Sequence, residues 1–265
     1  MSSSTESSTA SSTESSTAEV TEFAEGGYRY LAAVFQYSGG VAASPGFAIE
    51  RVRFRRPLPL AQGLAVVETY LEAIGRPTTA FCACQLRSPS QFSDQQFADF
   101  NRNYVQTLER WGVYRDGANP VARTNVCPTT ERPATPSLHS FSYTVPTDGE
   151  SRTFVIAGGA EAPEKGEDYR DAIVRLGDTS LDGLREKMRY VREEQERRLE
   201  ALGFSWQDAH VVQAYSRHDV GSLAYAELLG RGVGVHGLTL YSASPPVADC
   251  EYEMDASTVL REVLL

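Results

Sequence analysis

Leu71-Glu-Ala-Ile-Gly75 recurs 128 residues later as Leu199-Glu-Ala-Leu-Gly203. In each place the five letters close a stretch of helical character. Leu60, Leu64, Val67, Leu71 and Ile74 supply the 3.6-residue spacing in the first. The second opens at Ser180-Leu-Asp-Gly and runs to Leu202. Each is followed by a strand-like run, a shorter helical run, and a strand carrying a basic residue, Arg123 in one half and His236 in the other. Matched letters in matched element order are the signature of a duplicated unit. The expected fold is α+β, with two tandem domains, each a mixed or antiparallel sheet with helices on one face. Thr147-Asp-Gly149 is a turn signal and divides residues 26–147 from 148–265.

Within the first half, Tyr28–Tyr37, Phe47–Phe54 and Thr79–Leu86 are strand-like, and Pro57–Ile74 is helical. Ser93-Asp-Gln-Gln96 is a capping box opening a helix that ends at Trp111 before Gly112. Strands follow at Arg123 and at His139–Val145. In the second half, strands are expected at Thr153–Ala157, Ala172–Leu176, Ala209–Tyr215, Val235–Tyr241 and Cys250–Met254, with a helix at Ser222–Leu229. Residues 1–25 are expected to be a disordered tail. Their first part nearly repeats Ser-Ser-Thr-Glu-Ser-Ser-Thr-Ala and has almost no apolar surface to offset the entropy of ordering.

A net charge of −10 excludes the basic field that nucleic-acid binding requires. The basic runs Arg51–Arg56 and Arg192–Arg198 fit solvated strand and helix faces. The apolar runs are too short to span a membrane. Cys82, Cys84, Cys127 and Cys250 lack zinc or thioredoxin spacing, and no secretory signal precedes them. Cys82 and Cys84 are expected on one face of a core strand. A soluble cytoplasmic protein with reduced thiols is expected.

Asn119–Pro128 is bracketed by prolines and alternates like a short strand around Arg123. A guanidinium there is either an ordinary surface or ion-paired arginine, or a planar fork for a substrate carboxylate.

Several stretches resemble the Rid family of enamine/imine deaminases, which have a chorismate-mutase-like fold. They are Leu199-Glu-Ala-Leu-Gly-Phe-Ser-Trp-Gln-Asp-Ala209, Val211–Tyr215, Glu251-Tyr-Glu-Met-Asp255 and Pro120-Val-Ala-Arg-Thr124. After residue 25 the chain is most similar to the two-domain branch of 2-aminomuconate-type deaminases. The carrying stretches are residues 26–31 and 46–54, Phe81-Cys-Ala-Cys84, Asn119–Pro128, Phe141–Pro146, Arg175–Ser180 and His236–Thr239. In the Rid family an arginine binds the substrate carboxylate, and a glutamate fifteen positions later helps hold the attacking water. Fifteen positions after Arg123 stands Leu138, beside His139; fifteen before Glu251 stands His236. One half thus keeps the anchor and the other the acid.

The resemblance implies hydrolytic deamination of an enamine or imine carboxylate such as 2-aminomuconate or 2-amino-5-chloromuconate, with no metal, flavin or nicotinamide. No G-x-G-x-x-G, P-loop or zinc spacing suggests a cofactor. Arg123 is then the carboxylate anchor. Glu251 is the water-activating base or part of a solvated acidic edge shared with Glu253 and Asp255. His139 is a proton shuttle or an interface histidine. Cys127, four residues from Arg123 and so on its side of the strand, lines the pocket, acts in it, or is merely buried. His236 is a contact for a second carboxylate; His210 and His218 are expected at the surface. A non-catalytic metabolite-binding protein and a chorismate-type hydrolase are the competing readings. Rid-like domains form three-fold rings, so a homo-oligomer (trimer or hexamer) is expected, without membrane or nucleic-acid partners.

Overall fold

A computed structural model describes residues 19–149, 151–163 and 170–265. Its core is two copies of one β-α-β-α-β-β unit. The first comprises β4 (Phe47–Pro59), α1 (Leu60–Ala73), β5 (Phe81–Arg87), α2 (Asp94–Arg110), β6 (Ala122–Pro128) and β7 (Ser137–Pro146). The second comprises β8 (Phe154–Ala160), α3 (Leu181–Ala201), β9 (Val211–Ser216), α4 (Gly221–Glu227), β10 (Leu238–Tyr241) and β12 (Tyr252–Thr258). The spatial orders β6-β5-β7-β4 and β10-β9-β12-β8 correspond strand for strand. In both, the first pair is parallel and the others antiparallel. Gln85 and Gln213 stand 128 residues apart, like the two helix-end motifs. They meet across the molecule, the Gln85 amide donating to Gln213 Oε1 at 2.7 Å. The duplication expected from five letters is therefore a property of the whole topology.

Short strands at the chain ends are exchanged between the units. β1 (Val20–Phe23), β2 (Tyr28–Leu31) and β3 (Gly40–Ala43) extend the second sheet beyond β8, giving seven strands. β13 (Arg261–Leu264) and β11 (Ala243–Ser244) flank the first sheet, giving six. The tail boundary is thus corrected: residues 20–25 belong to the fold, while residues 1–18 lie outside the described residues.

Helices cover the outer face of each sheet. Leu64, Val67 and Leu71 of α1 and Tyr104, Val105 and Leu108 of α2 pack on β4, β5 and β7. Leu184, Met188 and Val191 of α3 and Leu223 and Ala224 of α4 pack on β8, β9 and β12. The inner faces meet through Val41, Ile49, Cys82, Ala83, Ala122, Val155 and Ala157. Helices, sheet, sheet and helices form four layers, each amphipathic helix burying the stripe its spacing supplies.

Some expected elements differ. β4 continues to Pro59, so α1 starts at Leu60. Ala172–Leu176 is turn rather than strand, because Arg175 and Gly177 hold φ of 51° and 73°, left-handed values that a strand does not contain. Cys82 and Cys84 do not share a face. The register shifts between Phe81 and Ala83, so Cys82 faces the other sheet and Cys84 faces α2. The Ser93–Gln96 capping box is formed, with both reciprocal bonds present.

Candidate functional site

Strand alternation on β6 sends Ala122 and Thr124 toward the other sheet and Arg123 toward α2. There the Arg123 guanidinium carbon lies 5.0 Å from the ring centres of Tyr37 and Tyr104, 5.8 Å from Phe97 and 5.7 Å from Phe100. The side chain is buried, its Nη1 has no hydrogen-bond partner, and no carboxylate of a described residue pairs with it. A guanidinium caged by ring faces keeps its charge while its edge stays available to an anion.

More unpartnered polar atoms surround it. Asn101 shares the Phe97–Tyr104 face of α2 by helical spacing; it is fully buried and neither amide atom finds a partner. Asn125, two residues along the same face of β6, accepts from Ser88 Oγ at 3.0 Å but leaves its Nδ2 unpaired. Buried polar groups are nearly always satisfied within a protein, so such a cluster marks a place where something else binds.

In the layer between the sheets, on the Thr124 side of β6, stands Glu253 of β12. It pairs in register with Ala160 of β8. Its Oε1 fills the space over Gly158, where a Cβ would collide with it, and its Oε2 has no partner. Burial pushes this carboxyl well above the carboxylate range; the Asp255 charge adds to that and Arg87 and Arg123 oppose it. Asp255, also raised by burial, accepts from Gln85 Nε2 at 3.2 Å and Tyr215 Oη at 3.0 Å.

Of the residues singled out from sequence, Arg123 lies in the aromatic cage, and Cys127 stands buried four residues further along β6. Burial pushes the Cys127 thiol up to about 12, Glu253 adding to the effect, so the sulfur stays protonated at neutral pH. His139 lies half-buried on β7, and burial, then Arg87, Arg53 and Arg51, bring its imidazole down to about 3. It is neutral near pH 7 and faces Arg87 rather than Arg123. Glu251 lies just before β12. Its carboxylate accepts from Arg217 at 3.1 and 3.2 Å and lies 2.7 Å from His218 Nε2. Burial pushes it up, but these hydrogen bonds outweigh burial and hold it below the ordinary range. His218, expected at the surface, is thereby half-buried. His236 is exposed against His210, 4.8 Å between ring centres, with Nε2 3.1 Å from the Gln207 carbonyl oxygen. It precedes β10, where Leu238 occupies the place that Arg123 holds on β6.

Glu253, Asn101, Asn125 and Arg87 were not singled out from sequence. Glu253 shared the alternating face of Glu251 and Asp255, but only the folded chain shows which of the three keeps a buried oxygen without a partner.

Two β-α-β-α-β-β units stacked sheet on sheet define a tandem Rid-like α+β protein. A chorismatase shares the arrangement, with a TM-score of 0.52 over 83% of this chain and 77% of that one, at 11% identity. That likeness is one of fold. A RidA from an Antarctic Psychrobacter superposes on 41% of this chain and 80% of its own, with a TM-score of 0.32 and 13% identity. The chain belongs to the 2-aminomuconate deaminase family: residues 20–263 match the family described as 2-aminomuconate deaminase CnbZ. It is 55% identical to the 2-amino-5-chloromuconate deaminase of Comamonas testosteroni over 245 residues, 92% of this chain and 98% of that protein. It is thus an enzyme of a deaminase family. Among the described residues no helix is long and apolar enough to cross a membrane.

Proposed function

We propose that the protein hydrolytically deaminates a 2-aminomuconate-type enamine carboxylate without a cofactor, releasing ammonia. The observations that carry this are a caged Arg123 whose buried Nη1 has no partner and, in the layer between the sheets, a buried Glu253 whose Oε2 has none. Arg123 holds the carboxylate next to the amino-bearing carbon. Glu253, protonated because it is buried, delivers its proton to the enamine carbon and leaves an iminium. As a carboxylate it then takes a proton from water as the oxygen adds to the iminium carbon. That proton passes to nitrogen, ammonia departs as the carbinol O–H proton returns to Glu253, and a ketone remains. One enamine and one water give one ketone and one ammonia, and Glu253 ends as it began. General acid–base work of this kind contributes roughly 10²–10⁴-fold. Cys127 lines the pocket as a neutral thiol. Glu251, ionised and tied to Arg217 and His218, supports the segment leading into β12.

The buried free thiols of Cys82, Cys84 and Cys127 support a reducing, cytoplasmic setting. Exposed Tyr225, Leu229, Val235 and Leu240 beside the β10 edge support self-association. The test is ammonia release from enzymatically generated 2-aminomuconate, by wild type and Arg123→Ala, with and without a chelator. Release that collapses in the variant and ignores the chelator supports the reading; no release from a folded wild type refutes it.

A further inference from the structure

Glu253 sits where the ladder between β12 and β8 is irregular. It pairs with Ala160, and Met254 pairs with Gly159, but Ala256 pairs with Ile156. Ala157 and Gly158 therefore stand opposite Asp255 alone, which is a bulge of one extra residue in β8. The glycine of the bulge leaves the space that the Glu253 carboxyl fills between the sheets. A bulge re-aims the side chains around it and breaks the ladder locally, so its carbonyls need donors from elsewhere.

Those donors come from α3, on the outer side of the same sheet. Gln195 Nε2 donates to the Ala157 and Met254 carbonyl oxygens, both at 3.0 Å, and Arg198 Nη1 donates to the Ala157 oxygen at 3.1 Å. One amide thus ties the bulge to the residue that follows Glu253. The residues before Glu253 are tied as well. The Glu251 and Tyr252 N–H groups donate to the Glu161 carboxylate at 2.6 and 3.0 Å, and Lys187 of α3 donates to the same carboxylate at 3.1 Å.

Lys187, Gln195 and Arg198 are each no more than 2% exposed, a polar row on the sheet-facing side of a helix, where apolar side chains are the rule. Counting back the 128 residues that separate the two units, Gln195 corresponds to Val67 of α1, fully buried among apolar neighbours. Valine fills that place on the same architecture, so packing does not call for an amide there. A core position that departs from the apolar rule in the unit holding the acid, and not in its twin, points to the site.

We propose that Gln195 is a positioning residue for the deamination: by joining the Ala157 and Met254 carbonyls it fixes the bulge against which the Glu253 carboxyl lies, and so aims the acid. This rests on the reading of Glu253 as the proton donor and adds the group that holds it in place. A catalytic group misplaced by about 1 Å can cost about 10²-fold in rate.

A double-mutant cycle in steady-state ammonia release tests this. Gln195 Oε1 has no partner among the described residues, so Gln195→Met removes the two donated bonds and little else. It is expected to lower kcat at least about tenfold with KM changed less than about twofold. In the Glu253→Gln background the same substitution is expected to change kcat less than about twofold, because no proton remains to be aimed. Gln195→His keeps one N–H donor and is expected to recover part of the loss; where Gln195→Met does not melt cooperatively, it carries the cycle instead. An unchanged kcat in a folded Gln195 variant, or an equal loss in both backgrounds, overturns the proposal. Near-normal kcat for Glu253→Gln alone would take down the reading of the acid and this proposal together. A crippled Glu253→Gln beside an unaffected Gln195→Met would leave the acid standing and remove only its positioning by Gln195.

Discussion

Replacing Arg123 with methionine should make the protein more stable and nearly inactive. Without ligand, the guanidinium is buried, donates no hydrogen bond to a described residue, and has four aromatic rings at 5.0–5.8 Å in place of a counter-ion. Cation–π attraction returns about 0.5–2 kcal/mol per favourable ring, and the four rings compete for one cation, so the sum is smaller than four such terms. Desolvation costs several kcal/mol, and exchanging buried ionic groups for apolar ones of similar volume is commonly neutral or stabilising by about 1–4 kcal/mol. Methionine has nearly the reach of the arginine stem and favours aromatic neighbours. In a chain of this size about 1 kcal/mol moves Tm by roughly 2–4 °C, so calorimetry at neutral pH should show a rise of at least about 2 °C. Losing a buried charge partner for the substrate carboxylate costs about 2–5 kcal/mol, or roughly 30- to 5,000-fold in kcat/KM for ammonia release. A variant that melts below wild type would refute the reasoning, because Arg123 would then be a structural keystone rather than a charge kept for a ligand.

Glu253→Gln should lower kcat by about 10²–10⁴-fold with little change in KM in steady-state ammonia assays; near-normal turnover would remove Glu253 from the mechanism. Burial raises the Glu253 carboxyl in the folded state above its ordinary value near 4.3. The wild type therefore loses stability as pH rises through the folded pKa, and the glutamine variant should gain Tm relative to wild type as pH increases, with the curves meeting in acid. The sign is opposite at Glu251, which Arg217 and His218 hold low. Glu251→Gln should melt below wild type at pH 7 and approach it as pH falls through the folded pKa. Gly158→Ala would set a Cβ against Glu253 Oε1 and 3.0 Å from Thr124 Cγ2; it should reduce kcat/KM at least about tenfold in a protein that still melts cooperatively. Titration calorimetry with muconate should give one site per chain, and two equal sites would contradict the single arginine anchor.

The repeat was legible because helix ends are written locally: a leucine stripe stopped by glycine leaves the same letters wherever it is used. Ser93 and Gln96 marked α2 for the same reason. Strand partners at a distance were not legible. Nothing local in Val20–Phe23 or Arg261–Leu264 says that each extends the other unit's sheet, because pairing is settled by which edges remain open after the cores stack. Parity counting failed at Cys82 and Cys84, where one extra residue in β5 reverses the faces. It also could not choose among Glu251, Glu253 and Asp255. Alternation puts them on one side, and their partners then divide them: Arg217 and His218 for Glu251, Gln85 and Tyr215 for Asp255, none for the Glu253 Oε2.

The duplication shows how the candidate machinery is divided between the units. Taking Gln85 and Gln213 as equivalent, strand register makes Thr124 the counterpart of Thr239 and Arg123 the counterpart of Leu238. On the neighbouring strands the register shifts after Gln85, so Arg87 pairs with Ser137 while Tyr215, its counterpart 128 residues on, pairs with Glu253; Ser137 and Glu253 therefore correspond. The first unit therefore keeps the guanidinium and carries Ser137 where the second carries its acid. The second keeps the acid and has leucine in place of the arginine. Neither unit carries both groups. The helices diverged in the same sense. α2 has 17 residues and reaches over Arg123 with Phe97, Phe100 and Tyr104, whereas α4 has 7 and covers no such residue. An arginine on β10 without an aromatic roof would be a solvated charge. The guanidinium and the aromatic roof over it thus belong to the first unit alone, as the buried, unpartnered acid belongs to the second.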